Sequence, residues 1–185
     1  MTHKIAKIAK PLLLLFFIAL FLQRIPAQHE SGINVTFTLR EEPLKIIIED
    51  ASGFSSTQRS LIDDAALLVG DVLKTDEFAQ IITNTGEQKL ADALLGPEQV
   101  LLTLRFYRPR NPFTSAVAYE KNGVIYLNPK AFNRGLPELA GTLIHEFTHT
   151  LGYTHPFRRT PDRDKTIPYL VGNAVAEIGQ RVRLD

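Results

Sequence analysis

One stretch of the chain, from His145 to His155, holds three of its five histidines. Within it, His145 and His149 are four residues apart, and side chains with that spacing share one face of a helix. Gly152 permits the left-handed backbone that ends a helix, so the chain can turn back and bring His155 toward the other two imidazoles. Three protein nitrogens and one open position are typical of a catalytic Zn²⁺ site, whereas structural zinc sites use four protein ligands.

Glu146 directly follows the first predicted ligand and is expected to face the open side of the metal. A carboxylate there can act as general base, because it can take a proton from a zinc-activated water that attacks a carbonyl group. The shorter pattern His-Glu-x-x-His also arises by chance in helices that bind nothing. Gly152 and His155 at their fixed offsets, in a chain without cysteine, favour the zinc interpretation.

The full pattern His-Glu-x-x-His-x-x-Gly-x-x-His resembles that of the metzincin clan of zinc metallopeptidases. The resemblance implies an α+β fold: a twisted mixed sheet with long helices, the zinc helix at a cleft and a small C-terminal subdomain. It also implies hydrolysis of peptide bonds, with His145, His149 and His155 as zinc ligands and Glu146 as base. Metzincins carry a methionine in a turn beneath the zinc, but the only methionine here is Met1. The candidate turn, Thr166–Leu170, therefore lacks the family residue.

Tyr169 lies in that candidate turn and is a further candidate catalytic residue. Some metzincins place a tyrosine here as an additional zinc ligand or as a hydrogen-bond donor to the oxyanion. The alternative is that its ring only packs against the site. Tyr153 is expected to pack rather than to react, and His29 is expected to be solvated.

The N-terminus has the composition of a secretory signal. A lysine-containing start precedes an apolar run from Leu12 to Leu22, and Ala27 is a small residue at which cleavage could occur. The run is shorter than the roughly 17–25 residues that span a bilayer as a helix. We expect residues 1–27 to be a signal peptide, or alternatively an uncleaved N-terminal anchor. Residues 28–185 would then be a zinc metallopeptidase domain that is secreted or periplasmic.

Charge and cysteine content restrict the partners. Removal of residues 1–27 takes away four basic residues and no acidic one, which changes the formal net charge from +1 to −3. Nucleic acid is therefore not a favoured partner. The expected partner is a protein or peptide substrate, and a membrane would be contacted only through an uncleaved N-terminal segment. The absence of cysteine excludes disulfides and a lipoprotein anchor, and we expect a monomer.

Three segments before the zinc motif are predicted as strands. Val35–Leu39 alternates apolar and polar residues, as a half-buried strand does. Leu44–Ile48 is predicted as a more buried strand, and Val100–Tyr107 follows the Gly96-Pro97 stop signal.

A hairpin is predicted at Lys121-Asn122-Gly123, because an Asn-Gly pair separates two β-prone segments, Ser115–Glu120 and Val124–Asn128. In the metzincin clan an edge strand above the cleft pairs with the extended substrate. Either segment could do this here, and either could be an ordinary sheet strand.

Helices are predicted from caps and periodicity. Ser55-Ser56-Thr57 offers cap hydroxyls to a helix with a core-facing stripe, and Glu77–Leu95 is a second helical region with a break near Asn84-Thr85-Gly86. The zinc helix is predicted to begin near Pro137, and Val171–Val182 is predicted as a closing helix. The stripe consists of Leu61, Ala65, Leu68 and Val72.

The loop between His155 and Lys165 carries four basic residues and two acidic ones. It could favour acidic side chains in a substrate, or it could be an ordinary solvated loop. The basic residues are Arg158, Arg159, Arg163 and Lys165, and the acidic ones are Asp162 and Asp164.

The zinc pattern and the composition of the N-terminus together lead us to expect an exported zinc endopeptidase. The alternatives are a narrow-specificity zinc hydrolase, such as an aminopeptidase or amidase, and a non-catalytic zinc-binding module.

Overall fold

The computed structural model describes residues 46–111, 113–158 and 160–183. The predicted N-terminal segment 1–27, the predicted strand Val35–Leu39 and His29 lie outside these ranges. The described residues all belong to one unit of the chain. Within the described ranges, no helix is both long enough and apolar enough to cross a bilayer.

Four strands form one mixed sheet in the order β1-β2-β4-β3. The strands are β1 (Ile46–Ser52), β2 (Val100–Phe106), β3 (Ala118–Lys121) and β4 (Val124–Leu127). β1 and β4 run parallel to β2, whereas β3 runs antiparallel to β4. Alternate residues of β2 are buried, so one face of the sheet packs on the core. The mixed sheet and the helices described below confirm the α+β class.

β1 differs from its prediction in its end and in burial. Leu44–Ile48 was predicted as a buried strand; Leu44 and Lys45 lie outside the described residues, and the observed strand continues to Ser52. Its register shifts between Ile48 and Asp50, and residues 46–48 are only partly buried. The physical reason is that, among the described residues, β1 pairs with β2 alone and lies at the border of the sheet.

Five α-helices complete the described fold: α1 (Ser56–Leu73), α2 (Asp76–Asn84), α3 (Gln88–Leu95), α4 (Leu136–Thr150) and α5 (Ile167–Val182). α1 and α4 pack against the sheet, and α5 packs on both of these helices. Together they enclose a core that includes Ile62, Val69, Leu104, Leu143 and Val175.

The helix boundaries confirm most of the sequence signals. At the start of α1, the Ser55 side chain accepts a hydrogen bond from the backbone N–H of Gln58, and the Gln58 side chain accepts one from the backbone N–H of Ser55. α2 and α3 are separated at the predicted break. Leu61 is half-buried, and the other members of the predicted stripe are buried.

The C-terminal helix corrects two expectations. Val171–Val182 was predicted as helix, but α5 begins at Ile167, so Thr166–Leu170 is a helix cap and first turn rather than a separate turn. Pro168 lies in this first turn, where its missing N–H breaks no helical hydrogen bond. α5 shares the core with α1 and α4, so the described residues contain no separate small C-terminal subdomain.

The predicted hairpin is present between β3 and β4. Asn122 and Gly123 have φ values of 54° and 78°, the left-handed conformation that an Asn-Gly turn requires. β3 begins at Ala118, later than the predicted Ser115, because its partner strand ends at Leu127. The chain then enters a short 3₁₀ helix at Pro129. β3 lies at the border of the described sheet, so of the two candidate edge strands it is β3 that has an unpaired edge there.

Candidate metal centre

α4 carries two of the three predicted metal ligands. It begins at Leu136 with Pro137 in its first turn, as predicted, and Gly135 precedes it with φ 105°. Leu143 and Ile144 are fully buried, and they anchor the helix in the core. His145 and His149 remain half-buried on the same helix, with ring centroids 5.2 Å apart.

The end of α4 brings the third histidine back toward the first two. Gly152 adopts φ 93°, its N–H donates to the carbonyl of His149, and the N–H of Tyr153 donates to the carbonyl of Thr148. This pair of hydrogen bonds is the Schellman arrangement, which a left-handed glycine makes possible. The ring of His155 consequently lies 5.2 Å from that of His145 and 4.9 Å from that of His149, centroid to centroid.

The three histidines form a group that can hold a metal ion. Their ligating nitrogens all lie within 4.8 Å of one another, and the Nε2 atoms of His145 and His155 are 3.2 Å apart. Two ligands of a tetrahedral zinc ion at about 2.0–2.1 Å would be separated by roughly 3.3–3.4 Å. The observed spacing of these two nitrogens therefore fits a common metal ion.

Backbone carbonyl groups orient the imidazoles. Nδ1 of His149 lies 2.7 Å from the carbonyl oxygen of Tyr153, and Nδ1 of His155 lies 3.2 Å from that of Pro156. A carbonyl can only accept, so each of these Nδ1 atoms carries the proton and each Nε2 keeps its lone pair. The backbone of Pro168 in α5 acts on the imidazole of His145 and partly offsets the lowering of its pKa by burial. These backbone contacts are the second layer of contacts that histidine ligands of metals ordinarily have.

The Nε2 atoms of His145 and His155 face each other at 3.2 Å. When both of these atoms are unprotonated, as metal ligation requires, their lone pairs repel, and a cation bound between them would remove the repulsion. The donor set is three neutral nitrogens without sulfur, which suits Zn²⁺ and several other divalent metals.

Burial favours the neutral form of two of the three imidazoles. Burial, together with the neighbouring His149 and His155, lowers the pKa of His145 to about 3. Burial also lowers the pKa of His155. Neutral imidazole is the form that binds metal, so these residues do not have to lose a proton at pH 7 before ligation.

Glu146, which follows His145 on α4, is buried, with 7% of its surface exposed. Burial raises the pKa of its carboxyl group to about 7, and the nearby charge of Glu120 in β3 acts in the same direction. A hydrogen bond with the backbone of Glu120 opposes the shift. A carboxyl group with a pKa near 7 can both accept and release a proton at neutral pH.

Tyr169 lies in the first turn of α5, and its ring contacts two of the three histidines. The ring centroid is 4.6 Å from that of His145 and 4.9 Å from that of His155. The guanidinium carbon of Arg163 lies 4.7 Å from the same ring. The turn was therefore predicted in the right place, although its conformation is helical.

The remaining candidates lie elsewhere. Tyr153 packs against the core and donates a hydrogen bond to Glu87 over 3.3 Å, in keeping with the packing role expected for it. A surface cavity of about 460 Å³ lies beside β1 and α1, and none of its lining residues belongs to the histidine group.

Three further contributors act through interactions that the sequence did not specify. Pro168 belongs to the candidate turn and Glu120 to a candidate edge strand, but the effect of their backbones on His145 and Glu146 arises only in the tertiary fold. Arg163 belongs to the basic run noted above, but the run did not distinguish it from its neighbours.

A scan against protein-family models, a search of curated proteins and a search of solved structures each find no match to this chain.

Proposed function

We propose that this chain is an exported zinc-dependent endopeptidase of the metzincin type, with Glu146 as general base. The observation that carries the proposal is the geometry of the histidine group, in which the Nε2 atoms of His145 and His155 lie 3.2 Å apart and the ligating nitrogens of all three histidines lie within 4.8 Å of one another. The buried Glu146 follows His145 on the same helix. His145, His149 and His155 would hold the Zn²⁺. Export rests on the composition of residues 1–27 alone.

Bound Zn²⁺ supplies Lewis-acid activation of a water molecule and of the scissile carbonyl group. Glu146 would accept a proton from that water as it attacks, and would then deliver the proton to the leaving amine nitrogen. Burial suits Glu146 to this exchange, because its pKa of about 7 lies near the working pH. A nearby dication would favour the carboxylate, which is the form that begins the cycle.

β3 is the proposed binding strand for an extended substrate. It lies at the border of the described sheet and packs against α4, and the backbone of its residue Glu120 interacts with Glu146. A peptide that adds to this edge by β-augmentation would pass close to the proposed base.

Tyr169 takes the place proposed for the missing methionine. Its ring lies against His145 and His155, so it can restrain both imidazoles as a packed methionine would. Its hydroxyl group is the proposed donor to the developing oxyanion, and this catalytic role stays a prediction.

The proposal is tested by profiling cleavage sites in a diverse peptide mixture with purified protein. We expect cleavage that a zinc chelator abolishes and that added Zn²⁺ restores. Glu146→Gln should retain about one Zn²⁺ per chain and lose several orders of magnitude in kcat, because only proton transfer is impaired. Glu138→Gln is the matched control, since it makes the same change in the first turn of the same helix.

Chelator-insensitive cleavage, or normal turnover in Glu146→Gln, would contradict the mechanism. Stoichiometric Zn²⁺ without cleavage of any peptide would instead favour a narrow-specificity hydrolase or a zinc-binding module.

A further inference from the structure

The side chain of Arg163 and the histidine group both contact the ring of Tyr169. Arg163 begins the short 3₁₀ helix Arg163–Lys165 that precedes α5. Its guanidinium carbon lies 4.7 Å from the centroid of the Tyr169 ring, in a cation–π contact, and that ring contacts His145 and His155.

The Nε of Arg163 is buried and has no hydrogen-bond partner in the part of the chain that the structure describes. Arg163 is also absent from the ion pairs among the described residues. These pairs are Lys74–Asp71, Lys165–Asp162 and Arg181–Glu77. A buried donor without a partner reduces stability, so packing alone does not explain why an arginine occupies this position. Arg163 as a whole is only half-buried, so a ligand could reach the exposed part of its guanidinium group.

The basic residues of this loop therefore differ in their exposure and in their contacts. Arg158 is exposed, and Lys165 is exposed and paired with Asp162 at 3.1 Å. Arg163 is half-buried, stacked and oriented by Tyr169. Arg159 lies outside the described residues.

The charge and shape of Arg163 indicate the kind of ligand. Three neutral imidazoles do not offset a divalent cation, and Glu146 contributes at most one negative charge, so Arg163 adds to a positive site. A guanidinium group presents a planar fork of donors that matches a carboxylate, and stacking on Tyr169 holds that fork in place before binding.

We propose that Arg163 binds a carboxylate of the substrate beside the scissile bond. The substrate class is then peptides with an acidic side chain, or a free C-terminal carboxylate, close to the cleaved bond. This inference rests on the proposed peptidase function for its biological meaning, but carboxylate binding can be measured separately from turnover.

The test compares matched short peptides in Glu146→Gln protein loaded with Zn²⁺, so that binding is measured without cleavage. The peptides differ only in Glu against Gln at the candidate position, and in a free against an amidated C-terminus. We expect the carboxylate forms to bind about tenfold or more tightly. The pair that shows the difference identifies whether a side chain or the C-terminus is the source of the carboxylate.

Variants then assign the preference to Arg163. Arg163→Gln should abolish it, Arg163→Lys should retain part of it, and Arg163→Glu should reverse it toward lysine-containing peptides. Lys165→Gln is the control, because it removes the same formal charge from the same short helix and should leave the preference unchanged.

Equal binding of acid and amide forms by the parent protein would overturn the proposal. A uniform loss with all peptides in Arg163→Gln would also overturn it, because it would indicate a general effect on the site. A charge preference that depends on Arg163, found without cleavage by the wild-type chain, would support the carboxylate site while contradicting the peptidase function.

Discussion

Gly172 of α5 lies directly against His145 of α4. A Cβ atom built on Gly172 would lie 3.0 Å from the Cβ of His145 and 2.9 Å from the carbonyl oxygen of Gly141. Gly141 is equally confined, since its own Cβ would lie 2.5 Å from the carbonyl oxygen of Gly172. The two helices can therefore approach closely only because both positions lack a side chain, and this close crossing brings Pro168 and Tyr169 to the first predicted metal ligand.

We expect Gly172→Ala to destabilise the protein by about 1–3 kcal/mol and to weaken zinc binding about tenfold or more. The backbone oxygen of Gly141 cannot move away without separating the helices, and the gain in helix propensity of about 1 kcal/mol does not offset this. Gly179→Ala on the same helix is the control, because its Cβ would meet only the flexible side chain of Leu68. Urea denaturation and zinc competition titrations measure both effects, and equal behaviour of the two variants would contradict the prediction.

Removal of one predicted ligand should abolish tight zinc binding. We expect His149→Ala to lose stoichiometric Zn²⁺, because two imidazoles and water leave the coordination shell too weak to retain the metal. Thr150→Ala, an exposed neighbour on α4, should keep about one Zn²⁺ per chain. Metal analysis after dialysis provides the measurement, and full Zn²⁺ content in His149→Ala would show that the ligand assignment is wrong.

The two parts of the Tyr169 side chain should have separable effects. Tyr169→Phe keeps the ring that contacts His145 and His155, so we expect unchanged zinc affinity, whereas Tyr169→Ala should weaken zinc binding about 10–100-fold. The kcat of Tyr169→Phe then reports on the hydroxyl group. A large decrease with Zn²⁺ intact would support the proposed oxyanion donor, and unchanged turnover would assign Tyr169 to packing.

The buried Glu146 should make metal-free protein less stable as the pH rises. Burial raises its pKa from 4.5 to about 7 in the folded chain, so between these values the folded state holds a proton that the unfolded state has lost. Stability therefore decreases through this window, by up to about 3 kcal/mol above pH 7, and the effect is absent below the unfolded pKa. A glutamine at position 146 would have a shape similar to that of glutamate but would not titrate.

We accordingly expect Glu146→Gln to be more stable than the wild-type chain at pH 8 and close to it at pH 4.5, both measured in chelator. Urea denaturation at the two pH values gives the difference directly. A stability difference that is independent of pH, or that grows toward acid, would contradict the burial assigned to this carboxyl group.

The sequence by itself determined the features whose causes lie within a few residues. The four-residue spacing of His145 and His149, the left-handed Gly152 and the Asn122-Gly123 turn all depend on local backbone geometry. The Ser55 cap and the helix break near Gly86 are of the same kind. Each is decided by dihedral preferences and short-range hydrogen bonds, and these are readable from neighbouring residues.

Only the tertiary structure decided what surrounds those residues. The approach of Pro168 to His145 and the separation of Arg163 from its basic neighbours depend on how α5 packs on α4. The border position of β3 depends on the strand order. These contacts join residues distant in the chain, and their energies arise from burial and close packing that no local pattern of residues specifies.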